Sequence, residues 1–184
     1  SPGKYNVQLK WKDKTANAII EIQPNPLYTT DAKTYQEYHQ LMSTMEGDLN
    51  RMHKLVALMY GKMEQVNQLV KTLPAESKFA ALKKEGEELA QRMKQWDEDM
   101  VQRKSKAYDD MENFPNKFTS NYMFMINHAE SDLPRVIQPT LDRLKELNVI
   151  WAGLESRANQ LLDKDVPAFN KQLWEAGIGA VWVK

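Results

Sequence analysis

The 184-residue chain has no cysteine, which removes disulfides, thiolate zinc sites and cysteine nucleophiles together. Compartment stays open, because exported proteins also fold without cysteine. Neither charge is in excess, since 25 Lys and Arg stand against 25 Asp and Glu. Affinity for a polyanion needs a positive surplus, so no nucleic-acid partner is expected. No apolar run approaches the roughly 18 residues of a membrane span, so no membrane insertion is expected either. The opening residues do not read as a secretory leader. His-Glu-x-x-His, the P-loop and Gly-x-Gly-x-x-Gly are missing as well. What remains is 42% hydrophobic and 27% charged, a composition that excludes disorder and suits a folded domain. A chain this long can bury about 70% of its unfolded surface.

The first 26 residues follow a period of two. Tyr5, Val7, Leu9 and Trp11 fall on one side and Lys4, Asn6, Gln8 and Lys10 on the other, the pattern of a half-buried strand. Lys12-Asp13-Lys14 is a polar turn, and Ala18, Ile20 and Ile22 resume the alternation until Pro24 and Pro26 end it. A lone hairpin is marginal in water. These strands are therefore expected to pack on a helix surface or to belong with further strands, and the opening Ser1-Pro2-Gly3 reads as the middle of a longer protein.

From Asp31 the period changes. Tyr35, Tyr38, Met42, Met45, Leu49, Met52, Val56, Met59, Met63, Val66, Val70 and Leu73 alternate steps of three and four, a strict heptad stripe. Asp31 reads as the N-cap and Pro74 as the stop, giving a rod of about 60 Å. Leu41, Leu55 and Leu69 widen the stripe, which calls for more than one neighbouring helix. A second helix is expected from Ser77 to about Lys104, with Phe79, Leu82, Gly86, Leu89, Met93, Trp96 and Met100 inward. The short link places it antiparallel to the first. A turn falls at NFPNK, and Phe118, Tyr122, Met125, Ile126 and Ala129 mark a short helix. Ser131-Asp132-Leu133-Pro134 reads as a new start. A third long helix carries Ile137, Leu141, Leu144, Leu147, Trp151, Leu154, Ala158 and Leu161, either starting late or bending at Pro139. Asp165 resembles a further N-cap before Val166-Pro167, in an element that continues through Phe169, Leu173 and Trp174 to Gly177. The apolar tail IGAVWVK is expected to be covered.

Residues able to carry chemistry are few. His39 and His53 lie fourteen residues apart on one helix, about 21 Å, too far to share a metal. With His128 they read as surface histidines. The Glu-x-x-His ligand pattern of di-iron bundles is missing. Carboxylates cluster at Asp97, Glu98 and Asp99 and again at Asp109, Asp110 and Glu112. Such pairs can serve glycoside hydrolysis in a cleft, but basic neighbours such as Lys94, Arg103 and Lys106 favour a solvated face. Met42, Met45, Met52, Met59 and Met63 could line a promiscuous groove, and their heptad register favours core. Trp96, Trp151 and Trp174 likewise read as core. No catalytic, cofactor-binding or metal residue is assigned.

The segment PGKYNVQLKWKDKTANAIIEIQPNP resembles the last strands of the immunoglobulin-like module of bacterial surface and secreted proteins. NFPNKF, the Pro139-Thr140 pair and DVPAFNKQLWEAG resemble the closing helical region of bacterial sortilin-type, BNR-repeat β-propeller proteins, often labelled glycosyl hydrolases or photosystem-assembly-like. The resemblance implies a C-terminal region, export to the periplasm, cell surface or medium, and a propeller outside these residues that would hold any site. No catalytic residue carries over.

The expected fold is mainly α: an antiparallel bundle of three long helices plus short ones over residues 27–184, with a β-hairpin over residues 1–26 packed against it. The expected function is a non-catalytic structural or protein-interaction domain at the C-terminus of a larger exported protein. It needs no cofactor, and its partners are the preceding domains of its own chain, with self-association through the hairpin edge. Two alternatives are a module binding a helix or apolar ligand on the Met/Tyr stripe, and an accessory part of a glycan-processing enzyme using Asp109 or Asp110.

Overall fold

The computed structural model describes residues 1–130 and 134–181, with the backbone alone for Tyr108 and Met111. The chain is mainly helical behind a two-stranded hairpin. Strands β1 (Gly3–Trp11) and β2 (Lys14–Ile22) pair antiparallel, residue for residue, from Gly3↔Ile22 to Trp11↔Lys14. The two-residue turn puts Lys12 in the left-handed region at φ 53°, where glycine or asparagine is the usual occupant of a tight hairpin turn.

Helix α1 (Ala32–Thr72) is capped by Asp31, whose carboxylate accepts the Thr34 N–H at 2.7 Å, and ends as Leu73 turns extended before Pro74. Its stripe is buried from Met42 to Leu73, apart from a half-buried Leu49; Tyr35 and Tyr38 near the open end are half-buried too. A 3₁₀ turn at Ser77–Phe79 leads into α2 (Ala80–Met100). That helix stops four residues before the expected Lys104, because Val101 turns extended and Asp97 grips Arg103 with two bonds of 2.6 Å. Every expected inward position of α2 is buried.

Helix α3 (Phe118–Glu130) continues upward where α2 leaves off, tied to it by the Thr119 hydroxyl donating to the Met100 carbonyl at 2.9 Å. Together they form one interrupted rod beside α1. The last rod runs back down as α4 (Gln138–Gln160), a π turn (Leu161–Asp165) and α5 (Val166–Glu175) without a break. Trp96 Nε1 donating to the Leu154 carbonyl, Arg157 on Asp99 and Arg92 on Asp165 set this rod antiparallel to α2. Three rods thus share one core.

Pro139, Asp165 and Trp174 each take a definite place in the last rod. Pro139 lies in the first turn of α4, so the helix starts late rather than bending. Of the expected start at Ser131-Asp132-Leu133-Pro134, the first three residues lie outside the described residues, and Pro134 stands four residues before α4 rather than in its first turn. Asp165 is no N-cap: its backbone is helical, and its carboxylate instead takes Arg92 and Gln160. The cause is Pro167, which cannot donate and would press on the Asp163 carbonyl of a regular helix. Widening to a π turn, with Val166 N–H reaching back to the Leu161 carbonyl, lets the rod continue. Trp174 is 77% exposed, not core, because Val166, Phe169 and Leu173 already make the inward stripe.

Gly177 ends α5 at φ 75° in a Schellman motif, with Ile178 N–H on the Leu173 carbonyl at 2.8 Å. Of the tail expected to be covered, Val181 is held down and Ile178 is half-buried, whereas Trp182, Val183 and Lys184 lie outside the described residues. The Asn170 side chain bonds both the N–H and the carbonyl of Val181, whose side chain is buried.

Candidate functional site

The residues flagged for chemistry divide into exposed side chains and ones engaged in structure. His39, His53 and His128 are exposed on α1 and α3. Among the described residues no group of three or more His, Asp and Glu side chains could hold a metal. Asp97 is buried, and its two bonds to Arg103 place that guanidinium 4.3 Å from the Tyr60 ring, pushing the arginine pKa still higher through the Asp97 bonds. Glu98 pairs with Lys94, and Asp99 ties α2 to α4 through Arg157.

Asp110 accepts the N–H groups of Lys106 and Ala107 at 2.7 and 2.9 Å. Those bonds hold its carboxyl below the usual range, the opposite of what a general acid requires. Asp109 and Glu112 are simply exposed. The five stripe methionines are at most 7% exposed. Trp96 is enclosed, and Trp151 stacks on Phe118 with centroids 6.0 Å apart and planes 15° apart.

The hairpin is the contrast. In an antiparallel pair, directly opposite residues share a face, so the register sets Tyr5 with Ile20, Val7 with Ala18, Leu9 with Ala16, and Ile22 beside Gly3. Trp11 completes that apolar face. The other face carries Lys4 with Glu21, Lys10 with Thr15, and Gln8 donating to Asn17 at 3.0 Å. Ile19 is its one large apolar residue.

Such an amphipathic ribbon normally lays its apolar side on a core. Here it does not. Every residue of β2, and every residue of β1 after Gly3, is exposed, with Leu9 at 69% and Trp11 at 60%. The expectation that the hairpin packs on the bundle is therefore corrected: the buried helix stripes pack on one another, and the ribbon's apolar face stays open.

The segment leading to α1 extends this surface, with Leu27 81% exposed beyond an Asn25 side chain that accepts its N–H. Two shallow grooves flank α4 at the same end of the bundle, one of about 440 Å³ including Phe124, Met125 and Arg143, the other of about 650 Å³ including Leu41, Val136 and Leu141. Sequence reasoning did not foresee the grooves, because Leu141 belongs to the expected stripe of the third long helix yet is exposed, and Phe124 (70% exposed) stands off the expected stripe of α3. Comparison with family models, curated proteins and solved structures gives no match for this chain.

Proposed function

We propose that this chain is a non-catalytic structural or protein-interaction domain that joins a larger exported protein through its hairpin. One observation carries the reading: six large apolar side chains, Tyr5, Val7, Leu9, Trp11, Ile20 and Ile22, stand 40–69% exposed on one face of a regular two-stranded ribbon. Contiguous apolar surface of that kind marks a contact surface. The resemblance to the closing strands of an immunoglobulin-like module supplies the covering partner, namely the preceding strands of the same module. Export follows from the resemblance alone. The helical rods serve as the rigid body that carries the ribbon.

The alternatives have no observation in their favour. A groove on the Met stripe would require the bundle to open, since those side chains lie in its core. A glycan-processing role would need Asp109 or Asp110 in a cleft, and Asp110 is spent on backbone N–H groups.

Hydrogen exchange tests the proposal. The outward amides of Lys4, Asn6, Gln8 and Lys10 on β1 should exchange fast in the isolated chain and become strongly protected when the upstream residues of the parent protein are present. Equal rates in both would refute docking. Glycan turnover by residues 1–184 that is lost in Asp109→Asn or Asp110→Asn would refute the non-catalytic reading.

A further inference from the structure

The hairpin has two open edges as well as an open face, and the edges are not equivalent. Both strands run nine residues without a bulge or an interior proline, the kind of straight edge that templates another strand. The two-residue turn closes on the Trp11–Lys14 pair, so hydrogen-bonded pairs alternate from there. The inward-bonding residues are Trp11, Leu9, Val7 and Tyr5 with their partners. The backbone N–H and carbonyl groups left facing outward belong to Lys4, Asn6, Gln8 and Lys10 on β1, and to Thr15, Asn17, Ile19 and Glu21 on β2.

In the register of fullest overlap, the β1 edge is guarded. A two-fold antiparallel pairing of β1 with its copy, centred on Val7, sets Lys4 directly opposite Lys10 at both ends, and like charges directly opposite are destabilising. Pro2 also lies just before it. The β2 edge carries no such guard. Centred on Ala18, the same operation sets Thr15 opposite Glu21, Asn17 opposite Ile19, Ala16 opposite Ile20 and Lys14 opposite Ile22. No like charges meet, and the outward groups of both strands find partners in phase.

We propose that two copies of the chain pair antiparallel along β2, about a two-fold axis at Ala18, forming a four-stranded sheet in the order β1-β2-β2-β1. The pairing makes about eight main-chain hydrogen bonds. It is isologous and therefore closes at the dimer, leaving the lysine-bearing β1 strands as outer edges. Each β2 ends at the opposite end of the sheet, where Pro24 and Pro26 lead the chain away, so the two helical bundles lie apart. The apolar faces of the two hairpins become one continuous surface. This assignment concerns the edge, goes beyond the docking of the face, and fails separately from it.

Cysteine cross-linking reads the register directly, because the chain has no cysteine of its own. Ala18 would face its own copy as a non-hydrogen-bonded pair about 4.5 Å apart between Cα atoms, within disulfide range. Under mild oxidation, Ala18→Cys should form a covalent dimer at least about tenfold faster than Val7→Cys, its neighbour on the same face. Equal rates would indicate face-to-face contact, and faster linking of Val7→Cys would indicate β1 pairing; either overturns the proposal. Ile19→Pro removes an outward N–H without touching the β1 ladder. By sedimentation equilibrium the unaltered chain should be dimeric and Ile19→Pro monomeric, both with the same helical circular dichroism. A monomeric unaltered chain, or a dimer that survives Ile19→Pro, overturns it as well.

Discussion

Gly86 is the point where three helices meet. A Cβ there would stand 2.5 Å from Val70 Cγ2 and 2.8 Å from Phe169 Cζ, so the absent side chain is what lets α1, α2 and α5 approach. Gly86→Ala should therefore destabilise by about 1–3 kcal/mol through overpacking, despite alanine's better helix propensity. Gly61 on α1 has nothing within 4 Å of the same position, and Gly61→Ala should stabilise by about 0.5–1 kcal/mol. Urea denaturation of the two variants gives opposite signs if the helices meet as described. Lys62, one residue along, is buried on α1 with its amine only 3.4 Å from Gln65 Oε1. Burial pushes its pKa below the ordinary 10.5. The unfolded chain then binds the proton more tightly than the folded one. Burial of the charged amine costs stability at neutral pH, and that cost is relieved as pH rises through the lowered value towards 10.5. Lys62→Met should stabilise the fold at pH 7, and the gain over the unaltered chain should shrink when unfolding is repeated near pH 10.

At the scale of the element, the heptad stripe of α1 is the clearest case of sequence dictating structure. Met52 is fully buried at its middle, and Met52→Asp should cost about 4 kcal/mol or more by enclosing an unpaired carboxylate. That is a large share of the 5–15 kcal/mol typical of a whole domain. Helical circular dichroism should be largely lost near physiological temperature. Full retention of helicity and melting temperature would place the stripe on a surface instead. The same three-four spacing made α2 and α3 legible, since Leu82, Leu89, Met93, Phe118, Tyr122 and Ile126 are all buried as their spacing requires. Spacing failed where a local signal had two readings. Asp165-Val166-Pro167 looks like a helix start, yet the π turn absorbs Pro167 inside a continuous rod. Local sequence states that proline lacks a donor; only neighbouring Arg92 on α2 and the buried Val166 and Phe169 determine that the rod goes on.

For the whole molecule, the decisive feature is that the bundle closes on itself and leaves the hairpin outside. Deleting residues 1–26 should therefore leave helical content per remaining residue and melting temperature nearly unchanged, while abolishing self-association measured by light scattering. Loss of the helical signal would mean that the strands support the core. The alternation of Tyr5, Val7, Leu9 and Trp11, the heptads of α1 and the inward stripes of α2 and α3 are periodic, and period is a property of the chain that any reader of the residues can measure. Period says which side of an element is apolar. It does not say what stands opposite. That Trp96 is enclosed and hydrogen-bonded while Trp174 is 77% exposed depends on which rods lie beside α2 and α5. That Asp97 serves as an anchor for Arg103, six residues on, depends on how the chain leaves α2. The ribbon, the helices and their apolar sides can be read from the residues in order. Packing alone fills the methionine stripe and leaves the ribbon's face bare, because burial depends on how many neighbours three packed rods can accommodate, and that number is not written in any one segment.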